Sequence, residues 1–459
     1  MSQDIKPYKE TDEKLKKIFS PSFCFAKWYH SNIYFQTGET HSCYHPRPHK
    51  IDLKEIEKDP SCLHNTQEKK KERAQMLKGE RPSGCQYCWN IEDLDKGLIS
   101  DRHIRNNSLN SEPRIQQVKT QPADFHVLPD YIEVSFSNLC NFKCGYCHPK
   151  ASSRYYNEIE EHGPYKNIKN HRCDINWFKI YPEEDNPYLE AWWKWWPELR
   201  GSLKILRITG GEPLLQKSTY RMLDLFEADP MPNLELNVNS NLGSPANIVE
   251  KFCDRIAVLR ESQKIGRFKL YTSIDTWGPQ AEYIRTGLKL PLFEENIKTY
   301  LKKTTTPLNL MITFNIFSLF SFRALLEKIL QWRSEFYYES PPSPDLFHRV
   351  RFDISYLKEP LQYDINILPK DFMTYMDEAL DFLTANMDDN RHDKFSYLDH
   401  QRFLRIYEYM KDTRYPESRV LEGQRDFYHY FTEQDRRRGT RLLDVFPEIE
   451  SFWQHCRKL

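Results

Sequence analysis

The chain has 459 residues, enough for two or three domains and a large buried core despite an apolar fraction of 39 %. Lysine plus arginine equals aspartate plus glutamate at 66 each, so no net charge argues for a nucleic-acid partner. No basic-then-apolar leader and no long apolar window is present, so a cytoplasmic protein without a membrane span is expected. Its eleven cysteines then read as metal ligands rather than disulfides.

Residues 1 to about 110 hold Cys24, Cys43, Cys62, Cys85 and Cys88 among charged, helix-forming sequence such as 67–78. A strand-like run, His30-Ser31-Asn32-Ile33-Tyr34-Phe35, follows Cys24. A turn at Thr37-Gly38-Glu39 leads to Cys43, and the pair Cys85-Gln86-Tyr87-Cys88 comes later. A hairpin with two thiolates and a C-x2-C with two more can close one four-ligand site. Zinc and iron–sulfur suit it equally, with His41, His45 or His49 as substitute ligands. Cys62, Cys173, Cys253 and Cys456 have no such neighbours and read as buried free thiols.

From 125 to 360 the pattern changes to short β-rich runs at 132–136, 203–208, 234–238, 268–274, 310–316 and 350–355. Six strands alternating with helical stretches imply βα units and a parallel sheet. Residues 157–186 lack periodicity and are expected as an irregular insertion over one mouth of the sheet. Pro341-Pro342-Ser343-Pro344 reads as a rigid loop. The aromatic run Trp192-Trp193-Lys194-Trp195-Trp196 reads as core packing at a helix end. The last hundred residues are helical by apolar spacing, as in Phe372-Met373-Tyr375-Met376-Ala379-Leu380-Phe382-Leu383. Lys69-Lys70-Lys71 and Arg436-Arg437-Arg438 read as solvated charge runs.

The ends of the predicted strands carry the chemistry, as they do in (β/α) barrels. After the first strand come Cys140, Cys144 and Cys147, spaced C-x3-C-x2-C. Three thiolates on one loop can hold three irons of a cubane and leave the fourth open, whereas structural zinc wants four ligands. The second strand ends in Ile208-Thr209-Gly210-Gly211-Glu212-Pro213, where two glycines permit close backbone approach to a ligand. The third ends in Asn239-Ser240-Asn241 and the fourth in Ser273-Ile274-Asp275, followed by Tyr283-Ile284-Arg285-Thr286-Gly287.

Together these motifs resemble the radical S-adenosylmethionine (radical SAM) superfamily. The resemblance implies a [4Fe–4S] cluster on Cys140, Cys144 and Cys147, with SAM on its open iron. It implies Tyr146 against the adenine, and Gly210, Gly211 and Glu212 facing the methionine ammonium. Asn239, Ser240, Asn241, Ser273 and Asp275 then serve the ribose and carboxylate, with Arg285 near the carboxylate. Cys24, Cys43, Cys85 and Cys88 resemble the twitch or SPASM modules that hold an auxiliary [4Fe–4S] cluster, although those usually follow the barrel. The match is closest to radical SAM proteins with an N-terminal twitch domain and extends to the tail, Asp435-Arg436-Arg437-Arg438-Gly439-Thr440 and Phe446-Pro447-Glu448.

The implied architecture is a twitch/SPASM-like module at 1–115, a partial (β/α)6 TIM-type barrel at 125–362 and a helical extension at 363–459. The implied chemistry is reductive cleavage of SAM to a 5′-deoxyadenosyl radical that abstracts hydrogen, with a flavodoxin- or ferredoxin-type reductant and the auxiliary cluster as electron acceptor. A peptide or protein substrate is ranked first. A dehydrogenase or ring-forming enzyme acting on a small polar metabolite is second. The rival of another class is a non-catalytic iron–sulfur or zinc protein that transfers electrons or scaffolds a partner. No motif identifies a catalytic acid or base.

Overall fold

The computed structural model of the protein describes residues 5–94, 97–169, 173–339 and 347–459. The expected rigid loop at Pro341-Pro342-Ser343-Pro344 lies outside them. Among the described residues the fold is mixed α/β with nine strands, mostly parallel. They are β1 (His30–Tyr34), β2 (Glu39–His41), β3 (His49–Lys50), β4 (Tyr131–Ser135), β5 (Ile205–Thr209), β6 (Met231–Ser240), β7 (Ile265–Ser273), β8 (Leu308–Phe314) and β9 (Val350–Tyr356). All six predicted strands are present, as β4 to β9, and the strand-like run after Cys24 is β1.

The chain forms two compact units. Unit one comprises the described residues of Met1–Ser137, Ile180–Thr209 and Met231–Leu236; unit two comprises those of Asn138–Lys179, Gly210–Pro230 and Asn237–Leu459. In unit one the strand order is β3-β2-β1-β4-β5, followed by the first half of β6. β2 is antiparallel to both β1 and β3, while β1, β4 and β5 run parallel. In unit two the second half of β6 is followed by β7, β8 and β9, and the last three are parallel.

Alternation explains the strands. In β4, Ile132 and Val134 are fully buried while Tyr131 and Glu133 keep some exposure, as a two-residue period requires. The tryptophan run lies on helix Pro187–Leu199, which opens with proline at its first position and takes a cap from Asn186, whose side chain accepts from the amides of Tyr188 and Leu189. Trp192, Trp195 and Trp196 are 0, 2 and 6 % exposed, so this patch is core, as expected. Trp192 meets Phe35 and Phe136 edge-on at 5.7 and 6.3 Å. The final hundred residues are helical as expected, over Met373–Ala385, Tyr397–Asp412, Glu417–Arg438 and Glu450–Arg457. Among the described residues no helix is long and apolar enough to cross a membrane.

Three expectations need correction. The supposedly irregular stretch 157–186 begins inside helix Ser153–His162, capped by Ser152, whose side chain accepts from the Tyr155 amide at 3.1 Å. Lys69 is not solvated. It and Arg73, four residues on along helix Gln67–Leu77, share an inward face and are both 0 % exposed. In the arginine run only Arg436 is open, at 59 % side-chain exposure, against 1 % for Arg437 and Arg438. Hydropathy counts charge, whereas the helical period decides which charges face inward.

Candidate metal centres

Unit two holds the cysteine triplet on a loop whose backbone is anchored along its length. The Glu212 amide donates to Leu139 O at 2.7 Å, Lys143 N to Thr286 O at 2.9 Å and Gly145 N to Ile284 O at 3.2 Å. The Ser152 hydroxyl donates to Phe142 O and Tyr430 Oη to Gly145 O, each at 2.6 Å. Two glycines are required by proximity. A methyl on Gly145 would overlap the Tyr363 hydroxyl, and one on Gly211 would strike the backbone of Leu139 and Asn138. Gly211 therefore admits the cysteine loop itself, a role the sequence assigned only to a ligand. Gly210 adopts φ +113°, which a side chain would resist.

Burial pushes all three thiols up; Cys147 reaches about 12, with Cys144 contributing. The Phe142 amide pulls Cys140 back, while Cys144, Glu212 and Cys147 push it further. Phe142 N lies 3.4 Å and Asn241 Nδ2 3.8 Å from Cys140 Sγ, donors of the kind that tune iron–sulfur potentials.

The other expected contacts fall into two groups. Glu212 is fully buried and its carboxylate accepts from Ser240 Oγ at 2.7 Å, Asn241 N at 2.7 Å and Leu214 N at 3.1 Å. Burial lifts it to about 7 against those three donors. It organises the end of β6, with Asn239 half-buried beside it in sequence. Ser273 ends β7 half-buried. Asp275, Tyr146 and Arg285 form the second group. Tyr146 Oη donates to Asp275 Oδ2 at 2.6 Å, and Arg285 Nη1 lies 2.7 Å from Tyr146 Oη and 3.3 Å from Asp275 Oδ2. Arg285 Nε is buried without a hydrogen-bond partner among the described residues, an orphan donor suited to an anionic ligand atom. Burial opposes the Arg285 charge, but Cys144, Tyr146 and Asp275 outweigh it.

Several residues escaped the sequence reading. Buried Glu158 accepts from Lys143 Nζ at 2.6 Å, Arg438 Nε at 3.0 Å and Tyr165 Oη at 3.0 Å, and Arg438 Nη1 donates to Thr286 Oγ1 at 3.0 Å. This cluster grips both sides of the cysteine loop. Cys173, expected to stand alone, donates to Tyr155 Oη at 3.4 Å; burial and Cys147 hold its thiol near 12. The doublet Ser152-Ser153 was the available signal for a helix cap here.

In unit one, Cys24, Cys43, Cys85 and Cys88 line a single pocket. Three separate segments deliver them. Cys24 precedes helix Ala26–Tyr29, Cys43 follows β2, and Cys85 and Cys88 straddle the start of helix Gln86–Glu92. Cys43 holds φ +148°, a strained backbone for a non-glycine residue. Burial pushes Cys85 to about 12 and Cys88 to about 11, with Cys43 adding to both. His45 lines the same pocket, while His41 binds Tyr34 Oη and His49 binds Thr66 Oγ1. Lys27, Arg102 and Arg105 also line it, which suits a centre made negative by four thiolates. Among the described residues no three His, Cys, Asp or Glu side chains converge on one point as ligands of a single ion.

No protein-family model matches the chain. Among curated proteins it is similar to the GTP 3',8-cyclase of Helicobacter pylori, 33 % identical over 93 residues that cover 20 % of this chain and 22 % of that protein. The GTP 3',8-cyclase of Nautilia profundicola is 30 % identical over 115 residues, 24 % and 27 % of the two chains. That of Sulfurimonas denitrificans is 23 % identical over 158 residues, 34 % and 38 %. The chain thus spans less than two fifths of these relatives.

Proposed function

We propose that the protein is a radical SAM enzyme with two metal centres: a SAM-binding [4Fe–4S] cluster on Cys140, Cys144 and Cys147, and an auxiliary [4Fe–4S] cluster on Cys24, Cys43, Cys85 and Cys88. The inferred architecture is the partial (β/α)6 barrel over 125–362, with the twitch-like module at 1–115 and the helical extension at 363–459. The single observation that carries this reading is the triplet loop, which holds three free cysteines on one anchored turn, hydrogen-bonded through Gly145 to Ile284 next to the orphan donor of Arg285. When bound, the first cluster supplies one electron that cleaves SAM to a 5′-deoxyadenosyl radical able to take hydrogen from substrate.

The chain's own residues do the positioning. Glu212 holds Ser240 and the Asn241 amide in place, and Asn241 in turn reaches the Cys140 sulfur. Arg285, held by Tyr146 and Asp275, presents its free Nε to the SAM carboxylate. Tyr146, Asn239 and Ser273 complete the proposed adenosine contacts, and backbone groups of Gly210 and Gly211 the ammonium contacts.

A peptide or protein is the first substrate class, presented by the N-terminal module. The relatives' name favours a second reading, ring formation on a small polar metabolite. Reduced, anaerobically reconstituted protein should convert SAM to 5′-deoxyadenosine and methionine, and Cys144→Ala should not. Equal turnover by both proteins defeats the assignment. Zinc in place of iron in unit one would reduce the auxiliary centre to a structural one.

A further inference from the structure

The pocket bordered by Cys24, Cys43, Cys85 and Cys88 is lined by Lys27, Arg102 and Arg105 and by one carboxylate, Asp101. Arg102 is matched by Asp12 at 2.8 Å and Glu92 at 2.9 Å, and Asp101 meets His45 at 2.7 Å. Lys27, only 2 % exposed, lines the pocket and meets Glu72 at 2.5 Å. The remaining cations have no carboxylate at ion-pair distance among the described residues. Arg105 lies over the Tyr44 ring at 5.1 Å. Lys69, 0 % exposed, donates to Ser31 Oγ at 2.9 Å and Thr40 Oγ1 at 2.8 Å, and lies 3.5 Å from His64 Nδ1. Arg73, 0 % exposed, reaches Lys27 O, Asn65 Oδ1 and His64 Nε2.

Burial holds Lys69 well below the ordinary lysine value and favours its neutral form, which leaves the pocket-lining Arg105 as the cation that a negative group in the pocket would answer. Lys27 is tied to the pocket by geometry: it lines the cavity with the four cysteines, and its backbone amide donates to Cys24 O at 3.1 Å. A cubane with four thiolates carries about two negative charges and gains another on accepting an electron. Cations around it favour that more negative state.

We propose that Lys27 and Glu72 are an opposed pair of positioning residues that set the reduction potential of the auxiliary centre, Lys27 raising it and Glu72 lowering it. This rests on the iron–sulfur reading of the pocket. The step it serves balances simply: a substrate radical is oxidised by one electron, the auxiliary centre is reduced by that electron, and the product sheds a proton to solvent.

The test is an EPR-monitored redox titration of the full chain in a Cys144→Ala background, which removes the other cluster's signal, after iron and zinc analysis. Lys27→Met should lower the midpoint potential and Glu72→Gln should raise it. Should Lys27→Met fail to fold, Arg105→Gln, at a half-buried position without an ion pair, should lower the potential in its place. Shifts of one sign for the opposed charges, or none, overturn the proposal while leaving the cluster intact. Zinc, or no iron, in the pocket overturns the cluster reading and this inference with it.

Discussion

The two cysteine centres are built by opposite means. In unit two, three thiols lie within eight consecutive residues, and the structure's work is to clamp one loop from all sides. In unit one, four thiols come from three segments spread over 65 residues, and the work is to assemble a pocket from helix starts and a hairpin. Their electrostatics differ as well. The triplet's nearest charges, Arg285 with Asp275 and Arg438 and Lys143 with Glu158, are paired. Of the cations lining the unit-one pocket, Lys27 and Arg102 are paired, whereas Arg105 has no carboxylate at ion-pair distance among the described residues. Under the proposed assignments, a loop that leaves room for a charged cosubstrate would be kept near balance, whereas a closed four-thiolate centre would itself supply the counter-charge.

The sharpest way to break this comparison is to remove one sulfur from each centre. Cys144→Ala should abolish SAM cleavage and drop iron from about eight to about four per chain. Cys85→Ala should lose as much iron yet still bind SAM, measured by equilibrium binding under anaerobic conditions. Loss of SAM binding in both variants would merge the two centres into one function.

Clamping makes the triplet loop intolerant of bulk. Gly211→Ala, facing immobile backbone, should cost about 3 kcal/mol in denaturant unfolding. Arg438→Met should cost about 2 kcal/mol, because Glu158 stays buried with fewer partners. Arg436→Met, on the exposed neighbour, should stay within about 0.5 kcal/mol. Equal costs for the two arginines would return the run to the solvated face expected from its sequence.

The smallest effect is a pH dependence. Glu212 has a folded-state pKa of about 7 against an ordinary 4.5. Its neutral form stabilises the ligand-free fold fully below 4.5, and that contribution is lost as pH rises through 7. An arriving ammonium prefers the ionised form, so SAM affinity should improve severalfold from about pH 6 to pH 8. Glu212→Gln should flatten that profile; an unchanged slope would move the ammonium contact elsewhere.

What could be read in advance follows the same division. Strands β4 to β9 announce themselves because each alternates or runs apolar over five or more residues, and the triplet because its spacing is local. The unit-one pocket was legible only as a set of candidate sulfurs. Lys27, Glu72 and Arg105 carry no local signature, since their meaning comes from which helix faces meet. Lys69 and Arg438 were misread for the same reason, as a charge run looks alike whether its face is wet or buried. The Glu158 cluster joins residues up to 280 positions apart, beyond any spacing rule.

The central claim is that Cys140, Cys144 and Cys147 leave one iron for SAM. Electron–nuclear double resonance on the reduced Cys85→Ala protein, with SAM carrying 15N and 17O in its amino and carboxylate groups, tests it directly. Hyperfine coupling of both nuclei to the cluster is the expected result. Bound SAM with neither nucleus coupled would contradict the account.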